Sequence, residues 1–197
     1  MEKILEVSFC PKRELSRTRR LADAYLEKRR KESGALHLEQ LDLEQARLPE
    51  IGLLAAVAKS KTIGGVPLDR DEQKVWEEIE VFAQQFMSVD EVVLVAPIWN
   101  FSLPYKLKHY LDLVAQPGIA FQYSEAGVEG LGRGRPLTLV TTRGGVIGDS
   151  PFNHQTPLLK TMAGFLDFNY QEIVAEGLDA EGPAWGEAIL DEVIAGL

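Results

Sequence analysis

The sequence predicts an α/β domain, a three-layer α/β/α sandwich around a five-stranded parallel sheet. Two observations carry this expectation. Strand-like runs and helical patterns alternate along the chain, and such alternation builds a parallel sheet through crossover connections. The run Val92-Val-Leu-Val-Ala96 is continuously apolar, which suits a strand buried on both faces. A chain of 197 residues supports one well-buried unit, so residues 1–197 are expected to form a single domain.

Strand signals fall at Ile4–Ser8, Ala35–Leu41, Glu91–Ala96, Leu137–Thr142 and Tyr170–Ala175. Between them, Arg17–Lys31 sets Leu21, Ala24, Tyr25 and Lys28 at helical spacing. Asp71–Met87 aligns Val75, Ile79, Phe82 and Phe86, and Leu103–Ala115 aligns Leu107, Tyr110, Leu111 and Val114. Thr156–Leu166 and Ala184–Ile194 complete the series; Met162, Phe165, Trp76 and Trp185 read as packing residues. Two inserts break the rhythm. Gln45–Leu68 carries a short helical pattern at Ile51–Lys59 before the Gly64-Gly65 break. Gly118–Gly134 alternates Ile119, Phe121 and Tyr123 before a glycine turn, which predicts a small hairpin or extended flap.

Composition narrows the function. The content is 45% hydrophobic and 26% charged, ordinary for a soluble globule. A net charge of -9 argues against general binding to nucleic acid or an anionic membrane. Lys12, Arg13, Arg17, Arg19 and Arg20 form one local basic cluster against that background. Cys10 is the single cysteine, so neither an internal disulfide nor a cysteine-cluster metal site is expected. No apolar run is long enough to span a membrane, and the N-terminus begins as a strand instead of a signal peptide. The expectation is a cytoplasmic protein.

Three loops carry chemistry. The first, Ser8-Phe-Cys-Pro-Lys-Arg-Glu-Leu-Ser16-Arg-Thr18, leads into a helix. It lacks G-x-x-x-x-G-K-[ST] and G-x-G-x-x-G, which argues against triphosphate and ordinary dinucleotide binding. Ser16, Arg17 and Thr18 at a helix start suit a phosphomonoester; Ser16 reads equally well as a simple N-cap. The second loop, Pro97-Ile-Trp-Asn100, follows the buried strand. Pro97 ends that strand, because proline cannot donate to a central ladder. Trp99 offers a wide apolar ring beside the donor–acceptor amide of Asn100, as a flat heteroaromatic ligand requires; the alternative is that Asn100 caps the next helix. The third loop, Thr141-Thr-Arg-Gly-Gly145, allows close backbone approach and presents free amides, or is only a flexible connection. Carboxyl ends of neighbouring parallel strands share one sheet edge, where open α/β sheets bind ligands. Three such loops on one edge are harder to explain as turns than any one alone.

The residues Ala96-Pro-Ile-Trp-Asn-Phe101, Leu107-Lys-His-Tyr-Leu-Asp-Leu-Val114, Gly118-Ile-Ala-Phe-Gln-Tyr-Ser124, Gly127-Val-Glu-Gly-Leu131 and Thr141-Thr-Arg-Gly-Gly145 together resemble a known family. The chain is similar to the FMN-dependent NADH azoreductases, also described as FMN-dependent NADH:quinone oxidoreductases, of flavodoxin-like fold. The resemblance spans nearly the whole chain. It implies that Ser16, Arg17 and Thr18 hold the FMN phosphate, and that Pro97, Ile98, Trp99, Asn100 and Phe101 line the isoalloxazine and ribityl. Thr142, Arg143, Gly144 and Gly145 would meet the pyrimidine side of the ring. Cys10 stands where the family usually has a serine near the phosphate, and a thiol donates a weaker hydrogen bond.

The same resemblance implies a homodimer with both sites at the interface, with Phe121 and Tyr123 covering the substrate. It implies two half-reactions: NADH or NADPH delivers a hydride to the flavin and leaves, then a quinone or azo compound takes its place and accepts two electrons. No catalytic side chain and no metal is expected, since the cofactor carries the chemistry. His37 and His109 read as solvated, and no two histidines have ligand spacing. His154 reads as a substrate contact or as a loop residue without a role. The alternative from another class is a flavodoxin-like electron carrier without its own NAD(P)H oxidation. Aromatics in the Gly118–Gly134 insert favour a covered site over a carrier's open edge. A response-regulator-like domain would need acidic residues after the first strand, where Ser8-Phe-Cys-Pro-Lys12 stands instead.

Overall fold

The computed structural model describes residues 1–197. Five parallel strands form the main sheet: β1 (Glu2–Ser8), β2 (Leu36–Asp42), β3 (Glu91–Val95), β6 (Arg135–Thr142) and β7 (Phe168–Ala175). Their order is β2-β1-β3-β6-β7. The chain adds β2 on one side of β1 and then crosses to β3 on the other. The pair β1 and β3 is therefore the topological switch point, with Ser8 level with Val95 at the carboxyl edge. The expected sheet and its five strands are present, each within two residues of its predicted bounds.

The central strands are apolar on both faces because helices cover both. Ile4, Val93, Val95 and Val140 point to one side, against Leu21, Tyr25 and Leu26 of α1 (Arg17–Ser33) and Leu190 of α6 (Pro183–Ala195). Leu5, Val7, Val92, Leu94, Leu137 and Leu139 point to the other side. There they meet Phe86 of α3 (Arg70–Met87), Leu107, Tyr110 and Leu111 of α4 (Tyr105–Val114), and Leu159 of α5 (Gln155–Leu166). Full burial of one such aliphatic side chain contributes roughly 1.5–3 kcal/mol, so β3, buried at every position, anchors the sandwich.

The inserts fold as short elements. α2 (Leu53–Ile63) begins after Gly52 and packs Ala55 and Ala58 on Trp76 and Ile79 of α3. β4 (Phe121–Ser124) and β5 (Gly127–Gly130) make the expected hairpin. Its base is pressed so close to the end of α5 that a Cβ at Gly130 or Gly132 would overlap the Leu166–Asp167 backbone.

Four expectations need correction. α4 starts at Tyr105, not Leu103, because Leu103 precedes Pro104, and a residue before proline avoids helical backbone. The short helix runs from Leu53 to Ile63 instead of Ile51–Lys59. His109 is not simply solvated: its Nε2 lies 2.8 Å from the Pro49 carbonyl and ties α4 to the insert. Trp185 is 46% exposed on α6 and is not a core residue, since the core side of that helix is taken by Leu190.

Candidate functional site

At the carboxyl edge of β1, β3 and β6 a cavity of about 680 Å³ opens, a size typical of cofactor sites. Its wall brings together Cys10, Ser16, Arg17 and Thr18 from the first loop, Pro97, Ile98 and Trp99 from the second, and Thr142, Arg143 and Gly144 from the third. Three loops that are separate in sequence thus share one hollow.

The first loop folds through a single 3-10 turn at Arg13–Leu15 into α1. Ser16 is the N-cap; its Oγ accepts from the Arg19 amide at 3.3 Å. The amides of Arg17 and Thr18 come too early in the helix for an intrahelical acceptor, and no other backbone acceptor meets them. Thr18 is 2% exposed, so its unmatched amide lies in a sheltered place. Free amides at the positive end of a 17-residue helix, on the wall of a cavity, fit a phosphate group. The Thr18 hydroxyl is engaged with Thr142 Oγ1 at 2.6 Å, which stitches α1 to the end of β6. Cys10 is a mostly buried part of this wall with Sγ 3.9 Å from the Val95 carbonyl, and burial pushes its thiol up from the ordinary value.

The second loop is a tight reversal. Trp99 and Ser102 exchange both backbone bonds at 3.0 Å, and the two residues between them, Asn100 and Phe101, take φ of 45° and 69°. Left-handed backbone at two successive non-glycine residues is costly and clusters at functional sites. The reversal sets Asn100 at an exposed tip. It does not cap α4, whose N-cap position is Pro104 with no side-chain bond. The Trp99 ring stands edge-on to Phe9 with centroids 5.4 Å apart. Ile98 donates its amide to the Thr142 carbonyl at 3.3 Å, joining the second loop to the third.

In the third loop, the amides of Gly144 and Gly145 meet no backbone acceptor. A Cβ at Gly144 would sit 2.5 Å from Asp179 Oδ2, so a side chain there would push the Asp179 carboxylate aside. Arg143 lines the cavity, while its guanidinium is held on the protein side. Its guanidinium is buried, donates to Thr156 Oγ1 at 2.8 Å and pairs with Glu176 at 3.4 Å. Glu176 Oε2 also accepts from the amides of Ile147 and Gly148 at 3.1 and 3.0 Å. Partial burial alone would raise its carboxyl; the two amides and the Arg143 charge outweigh it and hold it below the usual carboxylate range.

Several expected residues lie outside the cavity wall of one chain: Asn100, Phe101, Gly145, Phe121, Tyr123 and His154. The Phe121 ring turns into the core against Phe165 at 4.9 Å, whereas Tyr123 is 64% exposed. The His154 amide donates to the Phe101 carbonyl at 2.9 Å, and Phe152 packs on the Phe101 ring at 5.6 Å.

Sequence reasoning missed a fourth loop. Leu178, Asp179 and Glu187, from the segment between β7 and α6 and the first turns of α6, also line the cavity. Arg17 Nε bonds Glu187 at 2.9 Å, and its Nη1 bonds Asp179 at 2.8 Å and the Leu178 carbonyl at 3.2 Å. Gln155 was missed as well. Fully buried, it accepts from Thr141 Oγ1 at 3.0 Å and donates toward the carbonyls of Ala96 and Pro97, bracing the second loop against the third. The only sequence signal for this group was the loop position of Asp179 at the end of a fifth strand.

A family model described as flavodoxin-like fold matches residues 2–196. The chain is 31% identical to an FMN-dependent NADH:quinone oxidoreductase of Nitratidesulfovibrio vulgaris, covering 98% of this chain and 95% of that protein. It is 35% identical to one of the same description from Vibrio parahaemolyticus, over 75% of this chain and 77% of the relative. Among solved structures, an azoreductase from Bacillus anthracis str. Sterne superposes with a TM-score of 0.89 at 27% identity, covering all of this chain and 96% of the other. An FMN-dependent NADH-azoreductase from Bacillus anthracis str. Ames Ancestor, in complex with FMN, gives 0.84 at 30% identity over 100% and 97%.

Proposed function

The chain belongs to the flavodoxin-like fold family and, within it, to the FMN-dependent NADH:quinone oxidoreductases, and on that premise we propose how its residues bind FMN and pass two electrons from NAD(P)H to quinones and azo compounds. The observation that carries the reading is the cavity in which the free amides of Arg17 and Thr18 face the same hollow as Pro97–Trp99 and Gly144. A phosphate tail and a flat ring need those two ends at once. Bound FMN supplies the hydride relay between nicotinamide and acceptor.

The chain supplies position and charge. The α1 amides and Ser16 hold the phosphate. Trp99, braced by Phe9, and Ile98 give an apolar wall for the ring. The reversal at Asn100–Phe101 carries the Asn100 amide at the cavity rim, where it would reach the ring of a bound flavin. The free amide of Gly144 on the cavity wall, with that of Gly145 beside it, would be available as donors to a bound flavin and to negative charge on it. No side chain is assigned a proton transfer.

The proposal includes a second copy of the chain. Trp99 on the cavity wall, and Phe101, Tyr105, Tyr123 and Phe152 beyond it, are large rings left exposed by one chain, and exposed apolar groups of this kind suit a covering partner. A homodimer would cover it and bring Tyr123 and His154 toward the substrate. The compartment proposed is the cytoplasm, where a buried lone thiol stays reduced. The full length acts as one domain in this reading.

Steady-state oxidation of NADH by a quinone, with FMN added, tests the function. Turnover that depends on FMN and on quinone is expected. A protein that binds FMN yet shows no NADH oxidation without a separate reductase is a carrier, and the reading fails.

A further inference from the structure

We propose that Glu187 and Asp179 form an acidic clamp that withholds Arg17 from the phosphate of FMN, so that α6 limits the affinity for the phosphate-tailed cofactor. The inference rests on the proposed FMN site and concerns only its phosphate end.

Arg17 carries one of the free amides and lines the same cavity. Its guanidinium is nevertheless turned to the α6 corner. Nε goes to Glu187, and Nη1 to Asp179 and the Leu178 carbonyl. Nη2 lies 3.0 Å from where a Cβ at Gly186 would stand. Arg20 is drawn to the same corner by Glu187 and by Asp191 at 3.1 Å. Two cations are thus matched by three carboxylates, while Lys12 and Glu14 on the same wall offset each other.

The corner is shaped for this pairing. Gly186 lets α6 close onto the Leu178 carbonyl, where any Cβ would overlap. Gly144 leaves room for the Asp179 carboxylate. Hydrogen bonds from Arg20 and Arg17 hold the Glu187 carboxyl below its ordinary range, so it stays charged at neutral pH. An incoming phosphomonoester carries about -1.5 to -2 charges. It meets the amides of α1, and it gains Nε or Nη1 of Arg17 only by displacing the acidic or carbonyl partners they hold.

The test compares FMN with riboflavin, which has the ring and ribityl but no phosphate, by quenching of flavin fluorescence. Glu187→Gln keeps the shape and removes the charge. It should tighten FMN about three- to tenfold, the worth of one charge-assisted contact partly screened by solvent. Riboflavin affinity should stay within about twofold. In an Arg17→Gln background the gain should vanish. Apo Glu187→Gln should melt lower than the apo wild type, while FMN should raise its Tm by more. Unchanged or weaker FMN binding in Glu187→Gln overturns the clamp, as does an equal gain for riboflavin. A wild-type protein that binds neither flavin overturns the FMN site itself.

Discussion

Ser16 and Thr18 are already occupied in the fold before any ligand arrives: one caps α1, the other holds Thr142. Removing both hydroxyls therefore has two effects. The lost cap should cost about 1 kcal/mol of stability, and FMN affinity should fall about tenfold through loss of phosphate contacts. Fluorescence titration of Ser16→Ala/Thr18→Ala, read beside its melting curve, separates the two; wild-type FMN affinity would remove the hydroxyls from the phosphate site. Asn100 requires a different control, because its φ of 45° suits few residues. Asn100→Gly keeps that backbone and deletes only the amide. It should retain the wild-type Tm but weaken FMN or slow turnover; normal values for both would remove Asn100 from the ring. These residues were legible because hydroxyls at a helix start and an amide after a buried strand are local signals. Asp179, Glu187 and Gln155 were not, because their partners lie far off in sequence, as between Arg17 and Glu187. Arg143 was legible as a position but not as a direction: its guanidinium is drawn to Glu176 and Thr156.

The elements themselves were plain in the sequence, since apolar periodicity marks each strand and helix. What periodicity does not carry is how one element seats on another. The β4–β5 hairpin docks on the end of α5 through Gly130 and Gly132, where a side chain has no room. Gly132→Ala should destabilise by roughly 1–3 kcal/mol, as overpacking does, and shift the hairpin; an unchanged Tm would contradict that seating. The third loop depends on a charge. Glu176 has a carboxyl depressed in the folded state, so its contribution is complete above the ordinary value of 4.5 and is lost as pH falls through its lower folded value. Acid titration of stability should show this loss below about pH 4.5, and Glu176→Gln should flatten it. An identical acid profile in the variant would show that Glu176 does not hold the loop.

At the level of the whole molecule, three-layer architecture and strand order follow from burying β3 on both faces at the switch point. The exposed rings of Trp99, Phe101, Tyr105, Tyr123 and Phe152 are the part that one chain leaves unfinished. Light scattering should give twice the mass of one chain, and Tyr105→Glu with Phe152→Glu should shift it toward the single-chain mass with the fold intact. A monomer in the wild type would remove the second copy from the proposal. The most direct test of the site is a crystal structure grown with excess FMN. The phosphate should rest on the amides of Arg17 and Thr18, with the ring between Pro97–Asn100 and Gly144–Gly145. Flavin bound anywhere else, or this rim left vacant at saturating FMN, would contradict the account.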